Sequence, residues 1–268
     1  SVGVAAWSSA DADSVTVTAS VAPAEPALTI VEGAWDTTTT TTTTPPPATP
    51  LDPATGLGIA EPLGPPWPTE FTVADAVAGT VELYEKPGVR VPTGRTMPNP
   101  TREGYRLVLL VFEEQDEWLH VQINERPNGA TAWVRRDQVE LRTVPNHILV
   151  ERGAKRLTVF HGEEVLFTVS MAPGKASPPT PLGNFYVDIV TRPDNPNGPY
   201  GLFQISVTGF SEVYESFGGG NGQIAIHGTN RPELIGTPAS NGCVRLSNAD
   251  ITSLIAMARQ GTPVQIVA

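Results

Sequence analysis

One cysteine and one histidine have the residue types that nucleophilic attack on an amide requires. Cys243 is the only cysteine in the 268-residue chain, and it lies 16 positions after His227. A thiolate attacks carbonyl carbons, and an imidazole within hydrogen-bond reach of the thiol can take its proton. Cysteine is also among the residue types most often found buried, so composition alone favours an inert Cys243. The residues around the pair therefore decide between a nucleophile and a core cysteine.

The order of motifs around this pair resembles the catalytic signature of the L,D-transpeptidases, the YkuD-type domain. That signature runs His-Gly-Thr, then a variable loop, then Ser-x-Gly-Cys-Val/Ile-Arg-Leu/Met. The chain has His-Gly-Thr at 227–229 and Ser-Asn-Gly-Cys-Val-Arg-Leu at 240–246. Upstream, Thr-Pro-Leu-Gly at 180–183 matches the Thr-Pro-x-Gly element of the family. The resemblance covers residues 145–268 and favours the nucleophile.

The resemblance implies roles for this pair and its neighbours. Cys243 is the expected nucleophile, and His227 is the expected general base, which later protonates the leaving amine. In the family the second ring nitrogen of the histidine donates to the carbonyl of the next residue, here Gly228, so no carboxylate is needed to orient the ring. The backbone N–H groups of Gly242 and Cys243 are the expected oxyanion donors, because glycine permits close approach of the backbone.

Five other residues are candidate substrate contacts, and three of them have a structural alternative. Ser240 either touches the substrate or holds the turn by hydrogen bonds. Arg245 either binds a carboxylate of the substrate or supports the loop through backbone carbonyls. Tyr200 either lines the cleft or simply packs against it. The other two candidates are Asn241 and Thr229.

The resemblance also implies a peptidoglycan L,D-transpeptidase whose donor and acceptor are stem peptides. The thiol would take the acyl group of a tetrapeptide stem at its third, diamino-acid residue and release D-Ala. The side-chain amine of a second stem would then resolve the thioester and form a 3→3 cross-link, and carbapenems would acylate the same thiol. Two alternatives stay open: the same site acting as an L,D-carboxypeptidase or attaching a protein to the wall, and a wall-binding scaffold without activity. No metal or cofactor is expected, since one cysteine and one histidine supply too few ligands for a metal.

The negative charge of the chain is concentrated in its first part. The formal net charge is −11, yet the first 85 residues hold eleven Asp and Glu and neither Lys nor Arg, and the remainder is balanced. This part also carries eight consecutive threonines, Thr37–Thr44, followed by three prolines. Such a sequence buries too little apolar surface to offset the entropy of ordering, so residues 1–71 are predicted to form a disordered stalk.

Residues 72–144 are predicted to form a small β-barrel. Short apolar runs alternate with turn formers, as in Val81–Tyr84, Tyr105–Phe112 and Trp118–Ile123, and the last has the period of two that a half-buried strand requires. The segment resembles a bacterial SH3-like domain, chiefly through the Trp118 strand, the Arg-Pro-Asn-Gly turn at 126–129 and the strand at Trp133. Its aromatic residues either contact wall glycan or peptide, or form the core of a rigid spacer.

Residues 145–268 are predicted to be mostly β with one helix after Cys243. Strands are expected across 148–151, 156–160, 165–171, 183–191, 202–207, 223–226 and 264–267. Ser247 is the expected N-cap of the helix, with Asp250 three residues on, and Gly261 is the expected C′ residue. The apolar stripe of this helix comprises Ile251, Leu254, Ile255 and Ala258. The fold class is thus mainly β, with an SH3-like barrel followed by a β-sandwich-type L,D-transpeptidase domain.

Composition also excludes some partners and indicates a location. No basic patch is present to neutralise phosphates, which argues against nucleic-acid binding, and no apolar run approaches the length of a membrane span. A Thr- and Pro-rich stalk is typical of domains tethered outside the membrane. We therefore expect an exported protein of the cell wall or periplasmic space, peripheral to the membrane or tethered through a segment before Ser1. The combination of domains suits exported actinobacterial proteins.

Overall fold

The computed structural model describes residues 58–59, 66–91, 94–217 and 220–268. All of them belong to the second of two compact units into which the chain divides, residues 47–268. The predicted stalk over 1–71, with its threonine run, falls almost wholly outside the described residues and stays a prediction. Eight residues of that range are described: Gly58 and Ile59 form a short strand paired with Thr131 and Ala130, and residues 66–71 lead into the first sheet, where Phe71 begins a strand.

The first sheet is built from short strands that alternate with turns, as the pattern of apolar runs predicts. It has eight strands in the order β10-β2-β7-β8-β9-β4-β5, with β1 paired to β9, while β3 and β6 form a separate pair. The strand bounds are β1 Gly58–Ile59, β2 Phe71–Ala76, β3 Thr80–Glu82, β4 Tyr84–Lys86, β5 Val89–Arg90, β6 Thr96–Pro98, β7 Val108–Gln115, β8 Trp118–Gln122, β9 Ala130–Arg135 and β10 Val139–Val144. A short 3-10 turn, Arg136–Gln138, joins β9 to β10.

Two of the strands expected in this segment differ from the observed ones. The run Val81–Tyr84 is divided between β3 and β4, because Leu83 turns into the core and pairs its backbone with Arg95 and Val91 instead. The run Tyr105–Phe112 begins three residues late, at Val108, because Tyr105 is exposed and closes a turn with Thr101. Local hydrophobicity did not reveal either turn.

The second sheet holds the elements that carry Cys243 and His227. Its eight strands run in the order β13-β12-β11-β18-β14-β15-β16-β17, and the pairs β11–β18 and β16–β17 are parallel. The bounds are β11 His147–Glu151, β12 Arg156–His161, β13 Glu164–Ser170, β14 Gly183–Thr191, β15 Gln204–Phe210, β16 Gln223–His227, β17 Val244–Arg245 and β18 Pro263–Val267. The prediction of a mainly β fold with one α-helix after Cys243 is confirmed for the described residues.

That helix, α1 (Asn248–Leu254), begins where the sequence indicates but ends earlier. Ser247 is the N-cap, since its Oγ accepts from the Asp250 N–H at 3.1 Å and donates to the Asp250 carboxylate at 2.6 Å. The buried face of α1 holds Ile251 and Leu254. Gly261 is not the C′ residue: the helix ends at Leu254, and Gly261 forms the turn into β18, where its N–H donates to the Val187 carbonyl at 2.7 Å. Its φ of +91° suits glycine, and a Cβ there would lie 2.6 Å from a Val73 methyl.

The two sheets pack directly on one another. Tyr186 of β14 is fully buried among residues of the first sheet, and its hydroxyl donates to the Val108 carbonyl at 2.9 Å. At a second contact, Arg126 donates to the carbonyls of Ser211 and Tyr214 at 3.0 and 3.1 Å. The first sheet is therefore fixed against the strands β14 to β16, which lead to His227.

His147 is a buried imidazole whose protonation should oppose folding. It is 1% exposed, it stacks between Trp67 (ring centroids 4.1 Å apart) and Phe160 (4.9 Å), and neither ring nitrogen has a hydrogen-bond partner among the described residues. Burial lowers the pKa of His147 to about 4. The unfolded chain therefore takes up a proton first as the pH falls, and stability is lost between about pH 6.5 and pH 4.

We predict that His147→Phe weakens this acid destabilisation. The loss of unfolding free energy between pH 7.5 and pH 4 should shrink by up to ~3 kcal/mol, because the variant has no imidazole to protonate at this position. Urea titrations of both proteins at the two pH values measure this, and the pair at pH 7.5 controls for any change in packing. The same loss in both proteins would contradict the prediction.

Candidate active site

The register of β16 and β17 brings His227 and Cys243 to one face of the second sheet. Ile226 is paired with Val244, and both side chains are buried in the hydrophobic core. Side chains alternate across a strand, so the adjacent residues His227 and Arg245 point to the opposite face, as does Cys243 directly before β17. The two sequence motifs, separate along the chain, thus meet on neighbouring strands.

His227 is held in one orientation by its own backbone neighbour. The side chain is 3% exposed, and its Nδ1 lies 2.6 Å from the carbonyl oxygen of Gly228. A carbonyl only accepts, so Nδ1 carries the proton in the neutral ring and Nε2 keeps a lone pair. Burial lowers the pKa of His227 to about 4, and the positive charge of Arg245 adds to this effect, while the bond to Gly228 opposes it. The imidazole is therefore neutral at physiological pH and able to accept a proton.

The turn before β17 presents the thiol and the backbone N–H of Cys243. Ser240 is buried, and its Oγ donates to the Cys243 carbonyl at 2.5 Å and accepts from the Gly242 N–H at 3.1 Å. The N–H of Cys243 makes no backbone hydrogen bond within the described chain. Of the two oxyanion donors expected from the sequence, the Gly242 N–H is thus already used inside the turn, and that of Cys243 is available. Gly242 is required by its φ of +118° rather than by lack of space, since a Cβ would meet nothing closer than 3.5 Å.

The thiol itself is in its protonated form at neutral pH. Burial raises the pKa of Cys243, although a backbone hydrogen bond with Ala225 and the charge of Arg245 act in the opposite direction. A buried thiol beside a neutral imidazole can be activated by proton transfer during attack. It does not start as a preformed ion pair.

The Thr-Pro-x-Gly element at 180–183 fixes, by a hydrogen bond, the segment that pairs with this turn. Thr180 is fully buried, and its Oγ1 accepts from the Gly174 N–H at 2.8 Å. The segment so fixed pairs with the turn, because the Pro173 carbonyl accepts from the Ser240 N–H at 3.0 Å and the Lys175 N–H donates to the Ser240 carbonyl at 3.1 Å. The element therefore positions Cys243 through Ser240, which explains why a motif some sixty residues upstream accompanies the cysteine.

Tyr200 and Arg245 complete the surroundings of the pair. The Tyr200 ring meets the His227 ring edge-on at a centroid distance of 4.9 Å. The pKa of Tyr200 is raised by burial and by the proximity of Cys243. Arg245 exchanges backbone hydrogen bonds with Ala172 at 2.9 Å, but its side-chain Nε is buried and has no partner among the described residues. Arg245 as a whole is only partly buried, so its positive charge beside the thiol is suited to an anionic group of a substrate.

The remaining two candidates lie at the edge of this arrangement. Thr229 is buried, and its Oγ1 accepts from the Arg231 N–H at 3.0 Å, so its hydroxyl shapes the loop after His227. Asn241 is exposed at the tip of the cysteine turn. The structure thus brings Cys243, His227, Tyr200 and Arg245 together and leaves Thr229 and Asn241 outside that group.

Asn248 is a site residue that the sequence reasoning missed. Its Oδ1 accepts from the Leu202 N–H at 3.2 Å, which ties the start of α1 to the segment carrying Tyr200. The contact is tight: a Cβ on Gly201 would overlap Asn248 Oδ1 and lie 2.6 Å from the Thr229 nitrogen. The sequence offered one signal for this role. Asn248 directly follows the Ser247 cap, and the first turn of a helix that begins so soon after Cys243 must lie near the cysteine.

The described residues contain no group of three or more His, Cys, Asp or Glu side chains arranged to hold a metal ion. They likewise include no helix long and apolar enough to cross a membrane.

We predict that Ser240→Ala destabilises the fold locally. The variant leaves the Cys243 carbonyl and the Gly242 N–H without their shared partner in a buried turn, which should cost ~2 kcal/mol of unfolding free energy. Ser253→Ala is the matched control, because that exposed hydroxyl only donates to the Ala249 carbonyl within the helix. Urea denaturation of the three proteins measures the difference. Equal losses in both variants would contradict the prediction.

Comparison with known proteins identifies the domain that carries this site. Residues 145–266 match the family model described as the L,D-transpeptidase catalytic domain, YkuD. Over 124 residues the chain is 39% identical to the putative L,D-transpeptidase YkuD of Bacillus subtilis, which covers 46% of this chain and 67% of that protein. The chain belongs to the YkuD family. The resemblance inferred from the motifs is thereby confirmed, whereas the SH3-like assignment of residues 72–144 stays a prediction.

Solved structures also align with the YkuD domain of this chain. A mutant of the Enterococcus faecium L,D-transpeptidase is 20% identical with a TM-score of 0.34, covering 46% of this chain and 49% of that one. L,D-transpeptidase 3 from Mycobacterium tuberculosis, in complex with a faropenem-derived adduct, is 14% identical with a TM-score of 0.38, covering 60% and 91%. The chain thus spans two thirds of its Bacillus relative and about half of the Enterococcus structure.

Proposed function

We propose that the chain is a peptidoglycan L,D-transpeptidase that works through a thioester on Cys243. The observation that carries this proposal is the state of His227. Its Nδ1 is held by the Gly228 carbonyl, so its neutral Nε2 is the acceptor on the face that carries the thiol. Membership of the YkuD family supports the assignment.

Acylation follows from this arrangement. Nε2 of His227 takes the thiol proton while Sγ of Cys243 attacks the carbonyl carbon of the third, diamino-acid residue of a tetrapeptide stem. The negative oxygen that forms is stabilised by the free N–H of Cys243, a donor of the kind whose removal costs about 2.7–4 kcal/mol of barrier. The bond to D-Ala then breaks, and the imidazolium gives its proton to the leaving amine. A neutral imidazole and a thioester remain.

The second half-reaction returns the enzyme to its starting state. The side-chain amine of a second stem attacks the thioester carbonyl and gives its proton to His227, and the thiolate leaves and recovers that proton. The product is an amide between two stems, which is a 3→3 cross-link. Water or an amine on a protein would follow the same route and give a trimmed tripeptide or an attached protein.

Arg245 and Tyr200 are proposed to bind the donor stem. The guanidinium group of Arg245, a residue that is only partly buried, supplies a charged hydrogen bond for a carboxylate close to the thiol, and the terminal D-Ala carries such a group next to the bond that breaks. Tyr200 packs against the His227 ring and excludes water from its acceptor nitrogen. Both roles place the substrate against the sheet face, between β17 and the segment before β15.

The rest of the chain is proposed to serve delivery of the enzyme to its substrate. We propose an SH3-like module for residues 72–144 and an extracytoplasmic, wall-associated location, peripheral to or tethered at the membrane. The short strands and tight turns of the first sheet support the first assignment. The acidic, Thr- and Pro-rich composition of residues 1–71 supports the second.

The test is a product analysis with purified tetrapeptide muropeptides. We expect mass spectrometry to detect free D-Ala together with a dimer joined between the third residues of its two stems. Trimmed tripeptide alone would instead identify a carboxypeptidase, which would reject the transpeptidase while keeping the nucleophile. No D-Ala release at all would overturn the proposal.

A further inference from the structure

A cavity of about 250 Å³ lies between the YkuD sheet and the segment that joins β6 to β7. One wall is formed by Glu103 and Tyr105 of that segment, and the other by residues of β14, β15 and β16. On the strands the polar lining consists mainly of Asp188, Gln204, Ser206 and Gln223. The proposed reaction uses none of these side chains.

The cavity opens on the face of the sheet that carries the candidate active site. Gln204, which lines the cavity, is the register partner of His227, and Ser206 is the partner of Ala225. Directly opposed residues in an antiparallel pair point to the same face, so the cavity floor continues into the surface around His227. From strand spacing alone, Asp188 lies roughly 14 Å from Cys243 across three strand intervals, and Ser206 lies roughly 10 Å from it across two.

The cavity wall carries negative charge without a positive partner. Asp188 is half-buried, and both Asn124 (3.0 Å) and Gln223 (2.9 Å) donate to the same oxygen, Oδ2, so Oδ1 has no hydrogen bond within the described chain. Neither Asp188 nor Glu103 forms an ion pair among the described residues. Burial raises the pKa of Asp188, and the charge of Glu103 raises it further. A cation bound in the cavity would stabilise the charged form of Asp188 and so lower its pKa.

We infer that this cavity binds a primary ammonium group at the end of an aliphatic side chain of a stem peptide. An ammonium has three donors, and the cavity offers it Asp188 Oδ1, the Glu103 carboxylate and the oxygens of Gln204 and Ser206. A lysine-length side chain extending from the carbonyl carbon under attack covers about the two strand intervals from Cys243 to Ser206, where its ammonium lies one strand interval from Asp188. This inference rests on the proposed function, because the diamino-acid residue of the stem supplies that ammonium. It adds a recognition site beyond the catalytic pair.

The test compares binding of two peptides to the full chain carrying Cys243→Ala, which prevents turnover. The probes are L-Ala-D-isoGlu-L-Lys-D-Ala and the same peptide with its side-chain amine acetylated, titrated by calorimetry. We expect acetylation to weaken binding about tenfold, the loss of one charge-assisted contact. The second variant also carries Asp188→Asn, which keeps the shape of the side chain and can still accept hydrogen bonds from Asn124 and Gln223. We expect it to bind the free-amine peptide about tenfold more weakly and to bind the two probes equally. Glu140→Gln, an exposed carboxylate on β10, is the matched control and should change neither value.

A second arm identifies which stem supplies the ammonium. The wild-type chain is first acylated with a carbapenem, which blocks the donor position, and is then titrated with the tripeptide L-Ala-D-isoGlu-L-Lys. Amine-dependent binding that disappears assigns the cavity to the donor stem. Binding that persists overturns the inference, because the side-chain amine of an acceptor has to lie at the thioester carbonyl and not in the cavity. The inference is overturned if acetylation of the side-chain amine does not change the affinity. It is also overturned if acetylation changes the affinity equally with and without Asp188→Asn.

The proposed function is tested separately, by measuring D-Ala release by the wild-type chain. Release without amine-dependent binding would reject the cavity assignment alone. Amine-dependent binding without release would reject the transpeptidase and leave a peptide-binding cavity.

Discussion

Cys243→Ala protein is expected to release D-Ala from tetrapeptide stems at least four orders of magnitude more slowly than the wild-type chain. Loss of a nucleophile that acts together with its base removes covalent catalysis as a whole and leaves only what binding and oxyanion donors supply. The same variant should gain no mass with a carbapenem, whereas the wild-type chain should gain the mass of one ring-opened molecule. Quantitative D-Ala assay and intact-protein mass spectrometry measure the two effects.

Two controls separate a chemical effect from a structural one. Cys243→Ser keeps the size of the side chain and the Ser240 contacts of the turn, yet its hydroxyl is a far weaker nucleophile, so it should be nearly as inactive as the alanine variant. Both variants should unfold within ~0.5 kcal/mol of the wild-type chain, because Cys243 is not part of the hydrophobic core of the second sheet. A folded Cys243→Ala protein that still releases D-Ala would reject the nucleophile.

Several features of the fold and of this site can be predicted from the sequence alone. The period-two pattern places Trp118–Gln122 in a strand, and the Ser247 cap marks the start of α1. The order of motifs also leads to His227 and Cys243 through its resemblance to the L,D-transpeptidase signature, since the residue types alone leave an inert Cys243 open. The strand and the helix cap depend on neighbours within a few positions, which is why a single sequence reveals them.

The parts that sequence reasoning misses depend on contacts between distant segments. The role of Asn248 arises only when Leu202, 46 positions earlier, lies beside the helix start. Gly261 has the spacing of a C′ residue, yet contact with Val73 of the first sheet and a bond to Val187 give it another role. Long-range packing therefore overrides the local signal at each of these positions.

The ionisation states of the pair set the expected pH dependence. Burial places the pKa of His227 at about 4 and raises that of Cys243, so the reactive form, a neutral imidazole beside a protonated thiol, predominates from about pH 5 to pH 8. The base works only when unprotonated. The acid limb of kcat/KM should accordingly be centred near pH 4, well below the range of an ordinary histidine.

His227→Gln is expected to lower kcat/KM for D-Ala release by about three orders of magnitude, the range of a lost general base. It should also abolish the acid limb near pH 4, because the remaining reaction needs thiolate formed by solvent and so rises with pH through the raised pKa of Cys243. His161→Gln is the matched control: its Nδ1 also contacts a backbone carbonyl, that of Pro145 at 2.9 Å, but it lies on β12, and activity should be unchanged. An acid limb that persists in the His227 variant would assign the titration to another group. A wild-type limb centred near pH 6.5 would mean that the imidazole of the free enzyme is solvated, which would contradict the buried His227 described above.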